Sequence, residues 1–289
     1  MYSKEATSRA VQEKTLAIAQ EIVDFCATHQ LLCYFCGGGA IGALREGGFV
    51  PWDDDLHFFM PRADYERFCQ LWSQRTPDRF VLEKANADFV NHNNFVTVRD
   101  SQTTFVKTYQ QDLDVAHGIA VDIFPLDVAP TNARQQKIQK LWAMVYALFS
   151  EQVVPENNGG IIALGSKVLL GLFHSQRSRY RVWRFAEKQM TKYNGTNSPW
   201  ITELCVGPKY MGNLYRREWF ASNIMKPFED TQMPIPVGYD QYLRQVFGEY
   251  TKRPPESAQH PHHDAVFIDP QTPYSTYRGK YFLTQKGAK

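Results

Sequence analysis

The sequence predicts an α+β (mixed α/β) protein, in which a mixed sheet flanked by helices is followed by a mainly helical C-terminal part. Short apolar segments of strand length alternate with helical segments through about residue 130, whereas longer helical segments dominate after it. With 289 residues, 43% of them hydrophobic and 21% charged, the chain can bury a sizeable core. We therefore expect a sheet region at 1–130 and a mainly helical region at 131–289 that packs on it.

The first region begins with a predicted helix at 5–29, because Val11, Ile18 and Ile22 recur at helical spacing. A second helix is predicted at 62–75, with Tyr65 and Phe68 on its inner face. The predicted strands are 31–36, 56–60, 80–83, 95–99, 104–109 and 118–124.

In the second region, helices are predicted at 133–151, 161–173, 177–193, 218–225 and 239–250, before a polar, loop-like tail. The segment 161–173 has 13 residues and contains Lys167, so it is too short to span a bilayer. It is expected to be a buried helix, and a helix lying on a membrane surface is the alternative. In the tail, His260, His262 and His263 either bind a metal ion or belong to a solvated loop.

Charge and cysteine content exclude some classes of protein and suggest a location. A net charge of +2 argues against a dedicated nucleic-acid-binding protein. The five cysteines are an odd number, and Cys33 and Cys36 have no second pair for zinc, so free thiols in a reducing compartment are expected. The polar N-terminus lacks the apolar segment of a signal peptide. We therefore expect a cytoplasmic protein.

Three glycines, Gly37, Gly38 and Gly39, follow an apolar strand and precede the short segment AIGAL, which has helical character. Backbone N–H groups at such a glycine-rich helix start can bind phosphate oxygens. A flexible turn without a ligand is the alternative.

An aspartate run follows the glycines. Alternation along a strand would place Asp53, Asp55 and His57 on one face and Asp54 on the other. Two carboxylates beside a phosphate site are what a divalent metal ion and a nucleotide require together. A solvated acidic loop is the alternative.

Asp122 interrupts the apolar strand GIAVDIF. An unpaired carboxylate buried there would be costly, so Asp122 either pairs with a cation or binds a metal ion. Beside the aspartate run, a metal ligand is the favoured interpretation.

The chain contains, in order, the segments GGGAIGALREGGFVPWDDDLHFFMPRADYERF, GIAVDIFPLD and PIPVGYDQYLRQVFGEYTKRPP. Together they resemble the signatures of the LicD/fukutin-related family of phosphotransferases, which includes bacterial LicD-like phosphocholine transferases. The resemblance implies a nucleotidyltransferase-like catalytic core at 1–130 and a substrate or acceptor side at 131–289. It also implies Mg²⁺ or Mn²⁺ as cofactor, and transfer of phosphocholine from CDP-choline to a sugar hydroxyl of a teichoic acid or lipooligosaccharide precursor.

The resemblance assigns roles to individual residues. The three glycines match the phosphate-side loop, Asp53 and Asp55 match the acidic strand, and Asp122 matches the later acidic position. Asp55 and Asp122 would then hold the metal ion, and Asp53 or Asp54 would accept the proton of the attacking hydroxyl.

Further candidates concern substrate binding. Arg45 and Arg99 are the basic residues expected to bind phosphate oxygens, with a surface ion pair as the alternative for each. A choline headgroup prefers an aromatic box, and core packing is the alternative for every aromatic candidate. Those candidates are Trp52, Tyr210, Tyr215, Trp219, Tyr239 and Tyr242.

Two positions depart from the family pattern. His57 stands where the family has the second Asp of D-[ILV]-D, and Thr97 stands where similar sequences carry Lys. Imidazole is a poor ligand for Mg²⁺ and a better one for Mn²⁺ or Zn²⁺, so we include His57 among the expected metal ligands. The loss of Lys at 97 could weaken nucleotide binding or change the donor.

These departures leave alternatives to a phosphocholine transferase. One is the same machinery with another CDP-alcohol or a sugar-phosphate donor, and another is a non-catalytic relative that binds nucleotide or glycan. A nucleotidyltransferase acting on a small molecule is a more distant alternative. Because such acceptors are usually built on lipids, peripheral membrane contact through residues 141–173 is a further hypothesis.

Overall fold

The computed structural model describes residues 4–75, 79–153, 160–259 and 264–284. Its α-helices are α1 (Lys4–His29), α2 (Gly37–Arg45), α3 (Arg62–Trp72), α4 (Ala133–Glu151), α5 (Gly160–Leu172), α6 (Gln176–Thr191) and α7 (Tyr239–Phe247). Its strands are β1 (Tyr34–Phe35), β2 (His57–Pro61), β3 (Phe80–Glu83), β4 (Val96–Asp100), β5 (Thr104–Lys107), β6 (Ile119–Ala129), β7 (Trp200–Glu203), β8 (Tyr215–Arg216), β9 (Asn223–Phe228), β10 (Thr231–Pro236) and β11 (Ala265–Asp269). The predicted α+β class is confirmed.

The chain divides into two compact units. Unit 1 comprises Met1–Glu83, Thr97–Phe124 and Glu218–Lys289, and unit 2 comprises Lys84–Val96 and Pro125–Arg217. The chain passes from unit 1 to unit 2 after Phe124 and returns to unit 1 at Glu218.

Unit 1 is built on a sheet with the strand order β1-β2-β6-β4-β3. β1 and β2 are antiparallel, with Tyr34 opposite Phe59, and β3 is antiparallel to β4. The centre of this sheet is closed to water, since every residue of β4 is buried and Phe58 and Met60 have no exposed surface. The buried sheet gives the polar side chains on its central strands β2, β6 and β4 a rigid support.

Unit 2 contains the last residues of β6, which pair with β7, and β7 pairs with β8. Asn132 caps α4 by accepting hydrogen bonds from two backbone N–H groups of its first turn. The Gln139 amide of α4 donates to the carbonyl oxygens of Val128 and Met190, so it joins α4 to β6 and α6.

One predicted helix is wrong. Residues 218–225 form a single 3-10 turn at Arg217–Phe220 followed by strand β9, which makes an antiparallel hairpin with β10. The hairpin turn places Glu229 at a φ of +53°. Prolines in both strands are compatible with a two-stranded ribbon because such a ribbon has unpaired edges. The tail also differs from the expected loop, since β11 pairs with β5, with Asp269 opposite Thr104.

Helix α5 is not the buried helix that was expected. Leu164 is 64% exposed, Val168 is 54% exposed and Leu172 is 68% exposed. Across the described ranges, no helix has both the length and the apolar character that a membrane span requires. The five cysteines are buried and free, as predicted.

Candidate active site

The aspartate run forms an extended segment that leads into β2 and is held by α1. The Gln12 amide donates to the carbonyl oxygen of Asp53 (2.8 Å), and the Thr15 hydroxyl donates to that of Asp54 (3.1 Å). Burial alternates here, since Asp54 is 4% exposed whereas the Asp55 side chain is 58% exposed. The predicted faces are not kept, however, because Asp54 lines the same pocket as Asp55 and His57 and Asp53 does not. Strand β2 itself begins only at His57.

Folding brings Asp55, His57 and Asp122 together, as expected. His57 Nε2 lies 3.6 Å from Oδ2 of Asp55 and 3.9 Å from Oδ2 of Asp122. The other oxygen of Asp122 accepts a 2.7 Å hydrogen bond from the Thr97 hydroxyl. Lys107 adds a cation, with Nζ 3.8 Å from Oδ2 of Asp122.

The electrostatics of this group keep Asp122 ionised. Burial opposes its charge, but Lys107, His57 and the Thr97 hydrogen bond outweigh burial, so the pKa of Asp122 is lowered. Burial likewise opposes the Lys107 charge, and Asp122 outweighs it, so the pKa of Lys107 is raised. Asp122 and Lys107 therefore form a charged pair at neutral pH.

These side chains face a pocket in unit 1. It is lined by Val11, Thr15, Asp54, Asp55, His57, Phe105, Lys107, Tyr109, Ile119, Ala120, Asp122 and Asp264. Four of the lining residues are aspartates, and Lys107 is the one lysine or arginine among them. An acidic pocket with a single ammonium group can bind a cation, or an anion that arrives with a cation.

The predicted glycines lie in the first turn of α2 rather than in a separate loop. Gly37 has a φ of +53°, and its N–H donates to the Tyr242 hydroxyl (3.2 Å). A Cβ atom on Gly38 would collide with Oδ2 of Asp53. The absence of a side chain at Gly38 therefore lets the carboxylate of Asp53 lie close to the backbone, beside the positive end of helix α2.

Asp53 is half-buried beside this helix start and does not line the pocket. Burial, together with the neighbouring Asp55 and Asp54, raises the pKa of Asp53 to about 8. Near pH 7 its carboxyl group therefore keeps its proton.

Both arginine candidates make ion pairs outside the pocket lining. Arg99 is fully buried, with Nε 2.7 Å from Oε2 of Glu83. It also donates to Oε1 of Gln110 (2.8 Å). Arg45 donates to Glu46 and to the carbonyl oxygens of Tyr250 and Lys252, so it fixes the segment after α7.

The six aromatic candidates for a choline box, which include Trp52 and Tyr239, also lie outside the pocket lining. The Arg45 guanidinium is 5.9 Å from the centre of the Trp52 ring, and Lys226 is 5.5 Å from the centre of the Tyr239 ring. Each ring is thus in contact with a cation of the chain itself.

The pocket includes residues that sequence reasoning missed. Phe105, Lys107 and Tyr109 come from the predicted strand 104–109, but nothing in that short strand distinguishes a pocket-lining face from a core face. Asp264 reaches the pocket because the Thr108 N–H donates to its carbonyl oxygen (3.0 Å) beside the β5–β11 pair. This contact between residues far apart in the sequence leaves no local signal.

The donor atoms fit a divalent ion by their chemistry, since Asp55 and Asp122 supply carboxylate oxygens on either side of His57. Over the residues with described positions, no three His, Cys, Asp or Glu side chains are arranged as a ready-made metal site. His260, His262 and His263 lie outside the described residues.

Two comparisons with known proteins show what this chain is similar to. The family model described as LicD/FKTN/FKRP, nucleotidyltransferase domain, matches residues 31–154. The chain is similar to a lipopolysaccharide cholinephosphotransferase, LicD, of Haemophilus influenzae. The two are 25% identical over 274 residues, which cover 90% of this chain and 97% of that relative. The chain is therefore similar to the LicD family, in the family model's region and along most of the length of this relative.

Proposed function

We propose that this protein is a phosphotransferase that moves phosphocholine from CDP-choline to a sugar hydroxyl of a cell-surface glycan precursor, belonging to lipopolysaccharide or teichoic acid. The observation that carries the proposal is the convergence of Asp55, His57, Asp122 and Lys107 on one pocket. The similar protein of Haemophilus influenzae, named for phosphocholine transfer to lipopolysaccharide, supports the choice of transferred group and acceptor.

In this reaction the acceptor hydroxyl attacks the phosphorus atom of the phosphocholine group. A new P–O bond forms to the sugar, the P–O bond to the nucleotide breaks, and CMP leaves with the bonding electrons. The hydroxyl proton passes to a carboxylate. Asp54 lines the pocket and is the better placed base, whereas Asp53, with a pKa of about 8, is protonated near neutral pH.

We propose Mg²⁺ or Mn²⁺ as the cofactor, held by Asp55 and Asp122 with His57. When bound, the ion would neutralise charge on the diphosphate. Asp122 is already oriented for such a role because Thr97 fixes one of its oxygens and leaves the other directed toward His57. His57 favours Mn²⁺ over Mg²⁺ because imidazole is a softer ligand than carboxylate.

The alternative of a non-catalytic relative that binds nucleotide or glycan also has support. Lys107 and His57 both face Oδ2 of Asp122, so the ammonium group of Lys107 already provides positive charge there. Another CDP-alcohol or a sugar-phosphate donor would use the same pocket.

Calorimetry tests the proposal. CDP-choline is titrated into wild type and Asp55→Ala with Mg²⁺, with Mn²⁺ and with a chelator, and CMP release is then measured with a glycan acceptor. We expect metal-dependent binding that Asp55→Ala abolishes, followed by CMP release in wild type. Binding without CMP release would favour the non-catalytic relative, and absence of binding under every condition would exclude CDP-choline as the donor.

We also propose that the protein is cytoplasmic and works at the inner face of the cell membrane, through helices of unit 2. Leu141 of α4 is 54% exposed and Phe185 of α6 is 53% exposed, in addition to the exposed leucines and valine of α5. Residues 134–192 contain ten Lys and Arg and three Asp and Glu, a net charge of +7 (10 − 3). Exposed apolar side chains with excess positive charge favour an anionic lipid surface. Residues 154–159 of the expected contact segment lie outside the described residues.

A further inference from the structure

We propose that Lys107 binds the diphosphate of the donor directly and is the residue that makes this acidic pocket accept a phosphorylated ligand. The inference rests on the proposed function, because it names the group that recognises the donor of that same site. Lys107 lies outside the three sequence segments that resemble the family, and nothing in its local sequence marks it as a binding residue.

The position of Lys107 is the first argument. It is the last residue of β5, and its side chain lines the pocket with 22% of its surface exposed. Its Nζ lies 3.8 Å from Oδ2 of Asp122, longer than the 2.7–2.9 Å that is usual for a charge-assisted hydrogen bond. The ammonium group is therefore attracted by Asp122 without being held in a short hydrogen bond to it. Because it has three N–H donors, it can face Asp122 and a ligand together.

The charge of the pocket is the second argument. Asp54, Asp55, Asp122 and Asp264 line it, and their carboxylates would repel the negative charges of a nucleoside diphosphate. Thr97 orients Asp122 with an uncharged hydroxyl, so it adds no compensating charge. Arg45 and Arg99 are committed to Glu46 and Glu83 outside the lining. Of the lysines and arginines that the structure describes, Lys107 alone faces this pocket.

Two neighbouring groups attract the Lys107 ammonium group. Asp122 lies on one side of it, and the Tyr109 ring centre lies 5.9 Å away on another. Both a carboxylate and an aromatic ring attract a cation. The ammonium group lies in a largely buried position, where its interaction with phosphate oxygens is stronger than it would be in water.

The experiment compares ligands with and without phosphate groups. Inorganic pyrophosphate, CDP-choline and cytidine are each titrated by calorimetry, in the presence of Mg²⁺, into wild type and Lys107→Met. We expect Lys107→Met to weaken binding of pyrophosphate and CDP-choline by about 10- to 100-fold, the effect of losing one charge-assisted hydrogen bond, and to leave cytidine binding unchanged. Lys107→Arg should recover most of the loss, because it keeps the charge.

Two controls separate recognition from folding. Lys280→Met removes an exposed lysine outside the pocket and should bind all three ligands as wild type does. If Lys107→Met does not fold, Lys107→Gln takes its place, because its amide retains polarity beside Asp122. Each variant is compared with wild type by its thermal midpoint before titration.

The outcomes distinguish this inference from the proposed function. Binding of pyrophosphate that depends on Lys107, without any binding of CDP-choline, would support the inference and reject the donor. If Lys107→Met binds pyrophosphate as tightly as wild type does, the inference is rejected. The proposed donor is then tested separately, by CDP-choline binding and CMP release. An equal loss of cytidine binding would also reject it, since the role of Lys107 would then be structural. Absence of pyrophosphate binding in wild type would reject it as well.

Discussion

The Thr97 hydroxyl donates a 2.7 Å hydrogen bond to Oδ1 of Asp122, and this contact joins β4 to β6 beside the pocket. Both residues are buried, at 0% and 8% exposed. The bond fixes the rotation of the carboxylate, so that Oδ2 is the oxygen directed toward His57 and Lys107. A residue that departs from the family pattern thus orients the central acidic side chain of the site.

We expect Thr97→Val to lower the free energy of unfolding by about 1–3 kcal/mol at pH 7, because it leaves Oδ1 of Asp122 buried without this donor. The folded-state pKa of Asp122 is lowered, so the stability that ionised Asp122 contributes is present above its unfolded pKa of about 4 and is lost as pH falls through the folded value. The difference in unfolding free energy between wild type and Thr97→Val should therefore become smaller in acid. Urea unfolding at pH 7 and pH 3 measures it, with Thr97→Ser as the control that keeps the donor. An equal deficit at both pH values would contradict this account.

The sequence predicts α1, β3 and α4 almost to their ends and the first part of β6, because each contains an apolar segment of suitable length. It also predicts that Asp55, His57 and Asp122 meet. It misses Lys107 and Asp264, whose positions depend on the pairing of β5 with β11 across more than 150 residues. The fully buried ion pair of Arg99 with Glu83 is missed for the same reason, since burial of an arginine depends on strand pairing that is not local.

Arg99→Met is expected to destabilise the protein by about 3–5 kcal/mol, because it leaves the Glu83 carboxylate buried without its cation. The double variant Arg99→Met, Glu83→Leu should recover much of this loss, since it removes both charges. Urea unfolding measures both free energies. An Arg99→Met protein with wild-type stability and no affinity for CDP-choline would instead restore Arg99 as a phosphate-binding residue.

Asp53 should make the stability of the protein decrease as pH rises toward 8. Its folded-state pKa of about 8 lies above the unfolded value of about 4, so between these values the folded state binds more protons than the unfolded state. Asp53→Asn removes this group. We expect its thermal midpoint, measured from pH 5 to pH 8 with a chelator present, to vary less than that of wild type and to exceed it at pH 8. Asp88→Asn, at an exposed site, serves as the control. A profile parallel to wild type would show that Asp53 is ionised throughout.

The exposed apolar side chains of α5 should control binding to membranes. We expect Leu164→Gln combined with Leu172→Gln to weaken binding to vesicles that contain phosphatidylglycerol by about tenfold or more, because each leucine would otherwise bury apolar surface. Binding should also fall with added salt, because the segment is basic. Sedimentation with vesicles measures both effects.

A control pair of substitutions, Met225→Gln with Val266→Gln, removes exposed apolar side chains (45% and 42% exposed) from unit 1 and should leave vesicle binding unchanged. Equal losses of vesicle binding in the two double variants would indicate that the protein adheres to vesicles nonspecifically. Wild-type binding of the α5 variant would remove this helix from the proposed membrane contact.

His57→Asp should convert the site from one that tolerates the absence of metal into one that requires it. The substitution would place a third carboxylate beside Asp55 and Asp122, where His57 Nε2 now faces one oxygen of each. Like charges at such distances destabilise the folded state unless a cation separates them, and oxygen ligands are those that Mg²⁺ prefers. We expect the variant to have a lower thermal midpoint than wild type in a chelator and a larger increase with Mg²⁺. His57→Asn, which adds no charge, should show neither effect. If Mg²⁺ raises the thermal midpoint of wild type as much as that of His57→Asp, the imidazole does not limit the choice of metal. The preference for Mn²⁺ proposed for this chain is then wrong.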